Sequence, residues 1–304
     1  MNLTEKYRPT KFSEVLGQSH AVVGLEKMLS ERSHASILFS GPSGVGKTTL
    51  ARIAASALDC TDLREIDAAS NSGIDAMKAL AKNQQYYAPS NGSRVFIIDE
   101  CQQLSKSAWN SLLKDIENPP PGNFWVFCTT EISKVPRTIR TRCAEFKLKA
   151  VSNSDLFELV KSINTMEEMG VSDETLRRIV SAVGGSPRQA VVMLQQVRGL
   201  SEAEVTGLLE APEGLPQAFT LARLLIQSDF SLKEAMELLK DLKNESPEGI
   251  RQVVRAYMTT VVLNSPRNRH ALLTLKAFET PAIEQNQISD IVLKVMTLDK
   301  WRKG

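Results

Sequence analysis

The chain has 304 residues, enough for two or three domains that each bury a core. Apolar residues make up 42% and charged residues 24%, an ordinary balance for a globular protein, and no run approaches the 18 apolar residues of a membrane-spanning helix. The formal net charge is only +2, so any affinity for a polyanion has to come from local arrangement of charge.

In chain order, the polar stretch from Met1 to Arg8 lacks the apolar core of a signal peptide. A helical pattern over 20–31 leads to Ser36–Ser40, an apolar strand that ends at a glycine loop. Next come a helix over 47–58, a short strand over Leu63–Asp67 and a helix over 74–85. A strand over Arg94–Asp99, a helix over 105–116 and a strand over Phe124–Thr129 complete the pattern. Alternating strands and helices predict an α/β fold with a parallel sheet covered on both faces, and unbroken apolar runs fit strands buried on both sides. After about Lys149 the β signal fades. Residues 152–209 read as several helices broken at Gly184-Gly185-Ser186-Pro187, and Ala211–Pro216 is the linker candidate. Periodic apolar faces in Ala218–Ile226, Leu232–Leu242, Val253–Leu263 and Ile288–Leu298 predict further helices. The expected organisation is an α/β domain over 1–150 and two helical domains, 151–211 and 212–304. Cys60, Cys101, Cys128 and Cys143 form no CxxC pair, and three of them sit in or beside apolar runs and read as reduced core thiols, which fits a cytosolic chain.

Gly41-Pro42-Ser43-Gly44-Val45-Gly46-Lys47-Thr48 matches G-x-x-x-x-G-K-[ST] in full, after a strand and opening a helix that continues with Thr49. Glycines let successive backbone N–H groups turn inward around phosphate oxygens, and the helix N-terminus adds its positive end. Lys47 is expected to bridge the β- and γ-phosphates of ATP, and Thr48 to place its hydroxyl on Mg²⁺. Val95-Phe96-Ile97-Ile98-Asp99-Glu100 ends an apolar strand in a carboxylate pair, with Asp99 expected on the metal and Glu100 as general base for the attacking water.

These motifs belong to a longer ordered series. Glu5-Lys6-Tyr7-Arg8-Pro9, Val15-Leu16-Gly17-Gln18, the phosphate loop and Glu65-Ile66-Asp67-Ala68-Ala69-Ser70 come first. Then follow Ile98-Asp99-Glu100, Leu112-Leu113-Lys114 through Glu117-Asn118-Pro119-Pro120, Thr129-Thr130-Glu131, Thr141-Arg142-Cys143 and Gly185-Ser186-Pro187-Arg188. Over about residues 3–200 the chain resembles the AAA+ clamp loaders, particularly the gamma/tau subunits of bacterial DNA polymerase III, and it is similar to the replication factor C small subunits. The resemblance implies an AAA+ ATPase domain, a helical lid and an all-helical oligomerisation collar over the three spans above. It places Tyr7, Arg8 and Val15 at the adenine, Thr130 as a sensor near the γ-phosphate, with Thr129 its neighbouring candidate, and Arg188 as a second sensor from the lid. Arg142 is implied to act in trans, as a finger on a neighbouring copy's γ-phosphate; an intrachain ion pair is the alternative.

The same resemblance implies backbone-phosphate contacts to primer-template DNA from helix starts at Asn71, Ser72, Lys78 and Lys106. Relatives often carry a basic residue where this chain has Gly73, so the usual coupling of DNA to Glu100 is in question. Tyr86, Tyr87 and Pro89 are candidate sliding-clamp contacts, with half-buried packing the alternative. The four-cysteine zinc module of bacterial relatives has no counterpart beside Cys60, so no zinc is expected. The implied partners are a sliding clamp, DNA, and copies of itself and other clamp-loader subunits in a pentameric open ring, with no membrane. The implied setting is the cytoplasm, at the nucleoid, of a bacterial or phage-infected cell. The alternatives are an AAA+ DNA-repair or helicase-associated remodeller and a nonhydrolytic nucleotide-dependent scaffold.

Overall fold

A computed structural model describes residues 2–31, 36–70, 73, 77, 92–200, 205, 208–209, 216–282 and 288–303. The chain divides into two units, Met1–Gln196 and Val197–Gly304. In the first, α1 (Leu3–Lys6) and α2 (Ser19–Glu31) precede β1 (Ser36–Ser40), α3 (Lys47–Ala57) and β2 (Cys60–Asp67). β3 (Ser93–Asp99), α4 (Lys106–Glu117), β4 (Asn123–Thr129), the single turn α5 (Arg137–Arg140) and β5 (Ala144–Lys147) follow. Three helices close the unit: α6 (Asn153–Met166), α7 (Asp173–Ala182) and α8 (Pro187–Val197).

The strands form one parallel sheet in the order β2-β3-β4-β1-β5. Successive residues of a strand face opposite sides, so an unbroken apolar run feeds two layers at once. Ile37, Phe39, Val95, Ile97, Val126 and Cys128 pack beneath α2 and α3, against Leu25, Leu50 and Ala54. Leu38, Phe96, Ile98, Trp125 and Phe127 face the other way, toward Trp109 and Leu112 of α4. Phe96 stacks on Trp125 with ring centroids 4.4 Å apart, and Trp109 lies 5.4 Å from Phe127. Because the strands are parallel, the carboxyl ends of β1, β3 and β4 open on one edge of the sheet, where ligands of such folds bind.

The sheet has one strand more than expected, and β2 begins at Cys60 rather than Leu63. Both differences lie at sheet edges. β5 alternates half-buried and exposed residues over only four positions, and β2 is largely exposed, so neither carries an apolar run. Apart from Met77, the helix expected over 74–85 lies outside the described residues, as does the linker candidate before Pro216.

The second unit contains α9 (Pro216–Ile226), α10 (Leu232–Asp241), α11 (Pro247–Asn264), α12 (Arg269–Ala277) and α13 (Ser289–Lys303). α9 packs on α10, α11 and α12, with Phe219 edge-on to Tyr257 at 5.0 Å. Sequence periodicity did not predict α12, which buries only Ala271 and Thr274 along its length. The Arg302 guanidinium of α13 donates to the carbonyls of Leu225 and Gln227, satisfying acceptors that the end of α9 leaves without helical donors. No helix among the described residues is long and apolar enough to cross a membrane.

Candidate active site

Two glycines shape the phosphate loop. Gly44 has a φ of +74°, and a Cβ there would come within 2.2 Å of Ser186 Oγ. Backbone conformation and lack of room therefore both select glycine. The start of α8 docks on this residue, with the Arg188 N–H directed at the Gly44 carbonyl at 3.4 Å. Gly46 caps α3 at a φ of +108° with open space around its Cα. The first bond into α3 runs from Leu50 N–H to Gly46 O at 2.8 Å, so the N–H groups of Lys47, Thr48 and Thr49 have no helical acceptor. Open space and unclaimed N–H groups at a helix start suit an anion.

Lys47 is buried at the head of α3, and its Nζ donates to the carbonyls of Gly41 and Pro42 at 2.9 and 2.7 Å. Burial holds its ammonium below the usual lysine range, opposed by the nearby charges of Glu100 and Asp99. Neutral carbonyls are weak partners for a buried cation, and phosphate oxygens are better ones. Next to it, Thr48 Oγ1 donates to Asp99 Oδ2 at 2.6 Å, while Asp99 Oδ1 accepts the Glu100 N–H at 3.0 Å. A hydroxyl and a carboxylate brought together at a phosphate loop are the hard oxygen ligands that Mg²⁺ takes, so these residues fit that ion.

Glu100 adopts a left-handed backbone, φ 48° and ψ 40°, unusual for a residue with a side chain and a form of strain that collects at functional sites. It starts a single helical turn, Cys101–Gln103. Its Oε2 accepts hydrogen bonds from Gln102 Nε2 and, at 3.3 Å, from Thr130 Oγ1. The carboxylate at the end of β3 and the threonine after β4 thus meet, although 30 residues separate them.

A cavity of about 510 Å³ opens beside these groups. Tyr7, Arg8 and Val15 line it from the N-terminal arm, and Ser43 to Thr49 line it from the loop. Asp99, Glu100, Ile163, Met166, Arg188 and Val191 complete much of the wall, which carries both apolar and charged side chains. Gln18 pins the arm in place, exchanging hydrogen bonds with the backbone of Lys149 at 2.7 and 3.2 Å. At the rim, Tyr7 Oη and Lys6 Nζ both donate to Glu167 Oε1 at 2.6 Å, which holds both groups protonated beyond their ordinary range. Burial, aided by Arg52 and Arg188, lowers the Arg8 guanidinium.

Comparison with known proteins shows the family of the chain. A sequence family described as DNA polymerase III, delta subunit, matches residues 61–152. The chain is 33% identical over 257 residues to DNA polymerase III subunit gamma of Buchnera aphidicola subsp. Schizaphis graminum, spanning 75% of this chain and 70% of that protein. The chain belongs to the DNA polymerase III gamma/tau family. It is also 30% identical to DNA polymerase III subunit tau of Bacillus subtilis, across 97% of this chain and 59% of that protein. The Thermotoga maritima RuvB Holliday junction branch migration motor shares the fold, with a TM-score of 0.54 at 20% identity over 84% of this chain and 79% of its own.

Membership of the gamma/tau family directs attention to residues away from the cavity. Arg142 does not line it; Nη1 donates to the Thr138 carbonyl at 2.7 Å and Nη2 pairs with Glu117 at 3.2 Å. Glu117 is 52% exposed, and a pair open to water on one side contributes little and exchanges readily. Lys106 is exposed as the first residue of α4, capped by Ser105, whose Oγ accepts the Ala108 N–H at 3.2 Å. Asn71, Ser72, Lys78, Tyr86, Tyr87 and Pro89 lie outside the described residues. Burial pushes the Cys101 and Cys128 thiols up and that of Cys143 up to about 12, so they stay protonated and unreactive.

Two residues of the site have no place in the sequence motifs. Gln102, two residues beyond Glu100, folds back on it across one helical turn, a spacing that offered the only signal. Glu167 lies 160 residues from Tyr7, a distance that no local pattern bridges.

Proposed function

We propose that the chain is the ATP-hydrolysing subunit of a clamp loader, which opens a sliding clamp and places it on primer-template DNA during replication. The observation that carries this is the meeting of Lys47, Thr48, Asp99, Glu100 and Thr130 at the strand ends, in a chain of the gamma/tau family. ATP with Mg²⁺ supplies the phosphoryl group and the Lewis acid. Lys47 leaves its loop carbonyls for the β- and γ-phosphate oxygens, and the N–H groups from Gly44 to Thr49 hold the phosphates. Thr48 and Asp99 would hold the metal. Glu100 takes a proton from the attacking water while Thr130 orients that water. Tyr7, Arg8 and Val15 hold the base, and Arg188 reaches the phosphates from the start of α8.

Arg142 acts in trans on the nucleotide of an adjacent copy. Its weak pairing with Glu117 supports this, because a finger has to leave its resting contact at little cost. Residues 151–211 then serve as a lid and 212–304 as the collar of a pentameric open ring shared with other loader subunits. Asn71, Ser72, Lys78 and Lys106 contact DNA phosphates, and Tyr86, Tyr87 and Pro89 touch the clamp. The setting is the cytoplasm, at the nucleoid.

The alternative of a DNA-repair or helicase-associated remodeller draws only on the fold shared with RuvB. Measuring ATP turnover with and without a sliding clamp and primed DNA separates the two. A loader is stimulated by both together. Turnover indifferent to both contradicts the assignment.

A further inference from the structure

Gln102 has no part in the roles above, yet three side-chain hydrogen bonds converge on it. Its Oε1 accepts from Thr129 Oγ1 at 2.7 Å, and its Nε2 donates to Thr130 Oγ1 at 2.9 Å and to Glu100 Oε2. A carboxamide has nearly the same shape either way round, so its orientation has to be set by its partners. Glu100 and Thr129 set it together. The Glu100 carboxylate only accepts and so takes the N–H side, while the Thr129 hydroxyl, which accepts the backbone N–H of Glu131 at 3.0 Å, donates its single hydrogen to Gln102 Oε1. Thr129 is fully buried as the last residue of β4, so this end of the tether is part of the sheet.

With its carbonyl committed, the carboxamide points both N–H groups at Glu100 and Thr130. Thr130 then turns its own hydrogen toward the same carboxylate oxygen, closing a triangle of Glu100 Oε2, Gln102 Nε2 and Thr130 Oγ1. Neither Gln102 nor Thr130 lines the cavity, so Gln102 acts on whatever binds there through Glu100. The left-handed backbone of Glu100 heads the turn that carries Gln102, and such a conformation persists when surrounding contacts over-determine it.

We propose that Gln102 is a positioning residue that fixes the Glu100 carboxylate relative to the Thr130 hydroxyl, with its orientation keyed by Glu100 and Thr129. The proposal rests on the reading of Glu100 as the base and Thr130 as the sensor for the attacking water. One amide group then registers both groups against one water, and the buried end of β4 is the reference to which they are held. Without the tether the carboxylate is free to take other rotamers, and the water loses its partner for part of the time.

The test combines turnover with a readout that does not depend on it. Gln102→Met keeps the side-chain length and removes both donors. Its kcat should fall about tenfold, the scale of one hydrogen bond to a charged group. The Kd for ATP should stay unchanged, which a general loosening of the site would not allow, and the melting temperature should fall only modestly, because the buried Thr129 hydroxyl loses its acceptor. Thr129→Val should lower kcat in the same direction, and the double variant should be no slower than the slower single one, because Thr129 acts through Gln102. In NMR spectra the Gln102 carboxamide protons, identified by their loss in Gln102→Met, should shift in both Thr129→Val and Glu100→Gln. An unchanged kcat in Gln102→Met, multiplying effects in the double variant, or carboxamide signals indifferent to Glu100→Gln would each overturn the proposal. If the signals shift as expected while the unsubstituted chain shows no Mg²⁺-dependent turnover, the tether stands and the hydrolysis reading fails.

Discussion

The two halves of the proposed catalytic equipment are built differently. At the strand ends, Lys47, Thr48, Asp99, Glu100 and Thr130 are each held by contacts within 3.3 Å, on elements whose other residues form the core. Arg142 sits beyond α5 at the surface, tied to a carbonyl and to an exposed glutamate. The first set is anchored on core-bearing elements, and Lys47 alone has to exchange its carbonyl partners for phosphate oxygens when nucleotide arrives. The second is poised to let go. A residue that works inside its own chain gains from rigidity, whereas one that works on a neighbour needs a resting contact that it can give up.

The largest expected effect tests the first half. Lys47→Ala should remove turnover almost entirely and weaken ATP binding, as seen by fluorescent-nucleotide titration; full turnover would contradict the site. Arg142→Ala should come next. Fingers of this kind contribute about 10³- to 10⁵-fold, so activity of the assembled ring should fall by that scale while ATP still binds each chain. Gly44→Ala should follow, because it forces a Cβ against Ser186 in a left-handed conformation. Its nucleotide affinity should drop as α8 is displaced, and an unchanged affinity would separate α8 from the phosphate loop. Glu117→Ala should do least to stability, with a melting temperature near that of the unsubstituted chain. A marked loss would show the Arg142 pair to be structural and weaken the contrast.

The second unit supplies an independent pH prediction. Glu248 accepts from Arg251 at the start of α11 and from the Ala282 N–H at 2.8 Å, which lowers its carboxyl from 4.5 to about 2. Because the folded state favours the ionised form, this contribution is complete above pH 4.5 and fades as pH falls from there toward 2. Melting temperatures of Glu248→Gln and the unsubstituted chain should therefore differ at pH 7 and converge in acid.

Much of the nucleotide end was legible in the sequence because its chemistry is local. Glycines, lysine and threonine come in one eight-residue run, and Asp99-Glu100 closes an apolar strand. The sheet interior was legible for the same reason, since β1, β3 and β4 are continuous apolar runs. β5 was not, being an edge of four residues with half-exposed alternation. Gln102 was not, because two of its three partners lie 27 and 28 residues away, and Glu167 was not, because Tyr7 lies 160 residues away; only the folded sheet and the docked helices bring them near. The same limit applies to Arg142, whose partner Glu117 lies 25 residues away.

The most direct test of a site completed by a second copy is complementation. Lys47→Ala copies keep Arg142 but lack a working phosphate loop, and Arg142→Ala copies have the reverse defect. Each should be nearly inactive alone, and mixing them should restore ATP turnover through interfaces that pair an intact loop with an intact finger. Full activity of Arg142→Ala alone, or no recovery on mixing copies that still assemble, would contradict the account.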